Sequence, residues 1–113
     1  MPTPSRAELL HALLEIRLAA ERLKSYEPAF VDRLVAAIGA HRGTLAQAGT
    51  LPGDGKAQCE RIVEQCSSVL ECVNRAQQYE ALIMARADLL DRTGMLARMI
   101  RDLTVRLEPR QAR

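Results

Sequence analysis

Apolar residues recur three and four positions apart along most of this chain, the spacing of one face of an α-helix. Leu9, Leu13, Ile16, Ala20 and Leu23 form the first such row, widened by Leu10, Leu14 and Leu18. Ser5 and Glu8 stand ahead of it as an S-x-x-E capping box, so a first helix is predicted over 6–24. Pro28 interrupts the row, because proline lacks a backbone donor and turns the residue before it, Glu27, away from helical geometry. Proline suits a first helical turn, which predicts a second helix over 28–48. Phe30, Leu34, Ala37 and His41 also continue the earlier rhythm, so a kink between two nearly collinear segments is the alternative. Gly49 ends this element. The run Thr50-Leu51-Pro52-Gly53-Asp54-Gly55 is the strongest loop signal in the chain, with Asp54 placed to cap the next helix.

From Lys56 to Glu108 there is no proline, and Gly94 is the one glycine. Ile62, Cys66, Val69, Val73 and Ala76 make one stripe, and Leu82, Leu89, Leu96 and Leu103 then recur every seven residues. A helix over 56–108 is predicted, about 80 Å long if unbroken. A break near 77–80, where the stripe changes phase at Gln77-Gln78, or at 93–94 would make it two. The expected architecture is all-α: an antiparallel helical hairpin or bundle of three helices, or four, with a long C-terminal helix and coiled-coil-like packing.

Length and composition sharpen this picture. A chain of 113 residues is expected to form a single helical domain over 1–113. Its aromatic residues are Tyr26, Phe30 and Tyr79, few large side chains with which to fill a core. The apolar helical surface looks larger than one copy can cover, which predicts a homodimer or a groove for a partner's amphipathic helix. Leu89, Leu96, Met99, Ile100 and Leu103 are the candidate partner-binding residues, and Met84, Met95 and Met99 would suit an adaptable surface.

Charge and chemistry exclude more than they add. The net charge of +2 comes from 16 basic and 14 acidic residues that are well mixed, which argues against a nucleic-acid or anionic-membrane footprint. No apolar run is long enough for a membrane span, and Met1-Pro2-Thr3-Pro4-Ser5 lacks the charged and apolar regions of a signal peptide, so a cytoplasmic location is expected. Cys59, Cys66 and Cys72 lack the close pairing of a zinc site. Cys59 and Cys66 would lie about 10.5 Å apart along a helix, too far for a disulfide, so reduced, half-buried thiols are expected. No metal, cofactor or catalytic set is predicted, and the chain reads as a non-enzyme. Asp88–Arg92 and Asp102–Arg106 have the i,i+4 spacing of a solvated, charge-laced helix face.

Of the two histidines, His11 falls on the polar side of the first helix, and His41 lies in Gly39-Ala40-His41-Arg42-Gly43, where small neighbours leave an imidazole accessible. Histidine phosphotransfer domains are four-helix bundles of similar size, and the chain resembles them in Ala40-His41. It departs from them at Gly43 and Thr44, where a leucine and a lysine are usual. That makes His41 the phosphoacceptor of an alternative signalling reading. A purely architectural coiled-coil dimer is a further one.

The stretch Leu70-Glu71-Cys72-Val73-Asn74-Arg75-Ala76-Gln77-Gln78-Tyr79, followed by leucine-rich sequence to Leu107, resembles the small helical export chaperones of the bacterial flagellum, in particular the FlgN-like chaperones of type III export. Asn74, Gln77 and Tyr79 are the matching positions. The resemblance implies a chaperone or adaptor that shields the amphipathic helix of an unassembled protein subunit and releases it at an export gate.

Overall fold

The computed structural model describes residues 4–24, 27–47, 54–78 and 83–107, which fold into four α-helices: α1 (Arg6–Arg22), α2 (Pro28–Ala46), α3 (Asp54–Gln78) and α4 (Ile83–Leu107). The α1 start is the capping box read from the sequence: the Glu8 amide donates to Ser5 Oγ at 3.1 Å and the Ser5 amide to Glu8 Oε1 at 3.0 Å. These bonds, the backbone one first, hold the Glu8 carboxyl below its ordinary pKa. The helix closes at Leu23, whose amide turns back to the Ala20 carbonyl. Glu27 is extended (φ −122°, ψ 123°), as a residue ahead of proline is driven to be, and Pro28 opens a separate α2. The kinked, collinear alternative is therefore not the arrangement found.

The long C-terminal element is two helices. It breaks between Gln78 and Ile83, at the phase change, and runs unbroken through Gly94. Tyr26, Leu82 and Tyr79 lie outside the described residues, as does the tail beyond Leu107, and so does the side chain of Asp54 with its expected cap.

Each helix packs on the next in sequence, and α4 returns to pack on α1. Among the described residues, the diagonal pairs α1–α3 and α2–α4 do not pack. Short connections make sequential neighbours antiparallel. Side chains confirm it: His11 meets His41, Leu45 and Ala46 line a hollow with Lys56 and Cys59, and Cys72 meets Asp88. The result is an up-down-up-down four-helix bundle.

The core explains why four helices suffice. Leu89, Leu96, Ile100 and Leu103 on α4 are fully buried, in one cluster with Leu13 and Ile16 of α1, Leu34 and Ile38 of α2, and Ile62 and Val69 of α3. Met99 is partly buried against it. Of the five α4 residues expected to meet a partner, four thus lie inside the bundle and Met99 at its margin. Folding back after Gln78 gives α4 the cover of α3 on one side and α1 on the other, so no second copy is required to hide the row. Burial of each such side chain contributes about 1.5–3 kcal/mol.

Among the described residues, one polar side chain interrupts the core. Thr93 is 1% exposed and its Oγ1 has no hydrogen-bond partner among the described residues, whereas Thr104 donates to the Ile100 carbonyl at 2.8 Å. An unsatisfied buried hydroxyl costs about 1–3 kcal/mol. Thr93→Val, of nearly the same shape, is expected to raise the urea midpoint. Leu96→Ala is expected to lower stability by about 2–5 kcal/mol through the cavity it leaves. Denaturant melts of the two variants beside the wild type check both signs.

Candidate functional site on the outer face of the α1–α2 hairpin

With the α4 stripe enclosed, exposed apolar groups remain on the outer sides of α1 and α4. Among the described residues the exposed large apolar side chains are Leu14, Leu18, Met84, Met95 and Val105. Those on α4 are widely spaced. Leu14 (47% exposed) and Leu18 (40%) sit one turn apart on the same side of α1. The buried row of that helix is Leu9, Ala12, Leu13, Ile16 and Ala20, which leaves these two pointing away from the core.

Beside them, the solvent side of α2 is nearly bare. Ala29, Ala36, Gly39, Ala40 and Gly43 are all exposed there, with Asp32 and Arg33 the longer side chains. A methyl group built at Gly39 or Gly43 would meet nothing within 4 Å. The close helix contact that these glycines suggest in the sequence is therefore not made among the described residues. Between the two helices runs a hollow of about 340 Å³, lined by Leu18, Ala19, Phe30 and Ala37, with Glu15, Arg22, Arg33 and His41 on its rim. The Arg33 guanidinium lies 5.7 Å from the centre of the Phe30 ring. Arg22 and Arg33 form no ion pair among the described residues, which leaves that end of the hollow basic.

At the other end the two histidines meet. The rings of His11 and His41 stand edge to face, centroids 5.5 Å apart at 87°. Glu15, one turn beyond His11, completes a group whose potential ligand atoms all lie within 4.8 Å of one another. His11 is exposed as expected, but it is not alone; His41 is half-buried against α1 rather than presented freely. Sequence reasoning missed this convergence. The signal was available: His11 lies twelve residues before Leu23 and His41 fourteen after Glu27, so any antiparallel hairpin closing between those residues brings them level.

The cysteines carry no comparable site. All three are free and buried, spaced along the inward side of α3. Burial pushes the Cys66 thiol up to about 12 against the opposing charge of Arg42, and raises Cys59 as well. Cys72 is raised by burial and by Asp88, to whose Oδ2 its thiol donates at 3.4 Å. Asp88 also receives Arg92 Nε at 3.2 Å, and Arg92 reaches across to the Ser68 hydroxyl. The Gln65 amide donates to the Arg92 carbonyl at 2.9 Å. This ladder ties α3 to α4, and burial disfavours the thiolate at all three cysteines.

No family model, curated protein or solved structure matches the chain.

The thiols generate a direct expectation. In the folded protein at pH 8, alkylation by iodoacetamide is slow at all three positions, Cys66 above all. In denaturant each reacts at the rate of a free thiol. Mass spectrometry of timed quenches reads this, and rapid native-state labelling of Cys66 would contradict the burial described.

Proposed function

We propose that this chain is a non-enzymatic helical docking protein, a chaperone or adaptor that covers an amphipathic helix of a protein partner, and that the receiving surface is the outer face of the α1–α2 hairpin. The observation that carries the reading is the pairing of exposed Leu14 and Leu18 with the side-chain-poor strip of α2. Two large apolar groups one turn apart give an incoming helix something to bury. The strip lets its backbone approach closely, because interaxial distance is set by the side chains at the contact. Glycine within a helix costs about 1 kcal/mol relative to alanine, and the bundle has no packing need for Gly39 or Gly43.

Charge narrows the partner. The basic end formed by Arg22 and Arg33 favours a helix carrying Asp or Glu one or two turns from its apolar stripe. The resemblance of residues 70–107 to flagellar export chaperones supplies the class of partner: an amphipathic helix of a subunit awaiting assembly, with the bacterial cytoplasm as the setting. Such a helix laid along two others buries an area at or below the low end of stable complexes, on the order of 1,200 Å² in total, which suits reversible binding. A second copy of the chain is the competing occupant of the same face.

A photoreactive amino acid placed at position 18, and at 105 as control, in the cell of origin tests this. The expected result is an adduct from position 18 alone, with a helical segment of another protein, that is lost on Leu14→Asp. Positions 14, 18 and 105 are all exposed, so the thermal midpoint should stay within the small range of surface changes. An adduct only with a second copy, or none, overturns the reading.

A further inference from the structure

We propose that His11, Glu15 and His41 form a Zn²⁺ site that clasps α1 to α2, with one coordination position left open at the surface. This goes beyond the docking role and stands on a different observation. Among the described residues, two imidazoles and a carboxylate from two helices bring their ligand atoms within 4.8 Å of one another. Tetrahedral zinc, with Zn–N of about 2.0–2.1 Å, sets neighbouring ligand atoms roughly 3.3 Å apart. The remaining distance is within reach of side-chain rotation, since the three groups lie at the surface of the hairpin and α1 offers His11 and Glu15 on one side at i,i+4.

The three side chains are also unengaged. Among the described residues, neither imidazole has a hydrogen-bond partner and Glu15 has no ion pair; the rings meet only each other. The contrast lies on the same helix, where Arg17 is paired to Glu21 at 3.2 Å. Arg22 and Arg33 line the same hollow as Glu15 yet do not bind it. Nothing in the fold consumes these lone pairs, so a cation can take all three at no cost in broken bonds.

The donor set selects the ion. Two neutral nitrogens and one carboxylate suit borderline divalent ions of the zinc group, whereas Mg²⁺ and Ca²⁺ take oxygen ligands. Three protein ligands leave the fourth position to water, the pattern of open zinc sites. The buried cysteines are not competitors in the folded state, because a thiol must lose its proton to bind and burial opposes that in all three.

Isothermal titration of the metal-free full-length protein with Zn²⁺ and absorption spectra with Co²⁺ test the site. One Zn²⁺ per monomer is expected, with a thermal midpoint that rises with Zn²⁺ concentration. Co²⁺ should give visible ligand-field bands without thiolate charge-transfer absorption. His11→Gln, Glu15→Gln and His41→Gln should leave the metal-free midpoint unchanged. Each histidine variant should weaken Zn²⁺ by at least the roughly 10–100-fold that loss of an outer-shell partner costs. Affinity unchanged in His41→Gln, a thiolate–cobalt band, or one Zn²⁺ shared by two chains overturns the proposal. None of these outcomes depends on whether a partner helix binds, so this test and the cross-linking test fail separately.

Discussion

Everything in this bundle depends on where the inward side of α4 finds cover. Its fully buried row, Leu89, Leu96, Ile100 and Leu103, is enclosed by α3 and α1 at once, and the core of small aliphatic side chains closes around it. A chain with one phenylalanine and no tryptophan has few large groups with which to bridge distant elements. Four helices of modest length, each packed on two neighbours, fill the interior with leucine, isoleucine, valine and alanine at ordinary helix spacing. The fold-back after Gln78 is the step that makes this possible. Without it α4 would continue away from α1, and its leucines would need a second molecule.

The α3–α4 seam shows how register is set once that cover exists. Hydrophobic rows with similar side chains can slide by a turn at little cost, and polar bonds are less tolerant. Cys72, Asp88, Arg92, Ser68 and Gln65 are joined through consecutive hydrogen bonds along one edge of the seam. Donation from the Cys72 thiol, together with that from Arg92, holds the Asp88 carboxyl below its ordinary pKa. Asp88 therefore adds stability above the pKa it has in the unfolded chain, and that contribution fades as acid takes the pH down through its lower folded value. Glu8 at the α1 cap works in the same direction.

Much of this is legible in the sequence alone. Ser5 with Glu8 places the start of α1, and Pro28 places the start of α2, because capping and proline geometry act locally and do not wait for tertiary structure. The phase change at Gln77-Gln78 points to the later break, while Gly94 looks equally able to end a helix and does not; it is exposed, with open space around it. Which stripe faces inward is not legible. The heptad of α4 is apolar whether it meets α1 and α3 or another molecule, and only the course of the whole chain decides. For the same reason Leu14 and Leu18 read as a widening of the α1 row rather than as its outer side. His11 and His41 are thirty residues apart in sequence, and periodicity alone does not join them; their near-equal distances from the α1–α2 turn do, once the two helices are taken as an antiparallel hairpin.

The ring of neighbours has a topological corollary. Because α4 lies antiparallel against α1, the beginning of α1 and the end of α4 share one pole of the bundle. The four helices thus form a nearly closed circuit in which the order of synthesis is incidental to the packing. Opening that circuit between α2 and α3, and bridging Arg6 to Leu107 by a flexible linker, would preserve every helix–helix interface while placing new ends beside the α2–α3 crossing. A cargo joined ahead of α1 or after α4 would hang from that shared pole, next to the His11 end of the hairpin and away from the basic rim at Arg22 and Arg33.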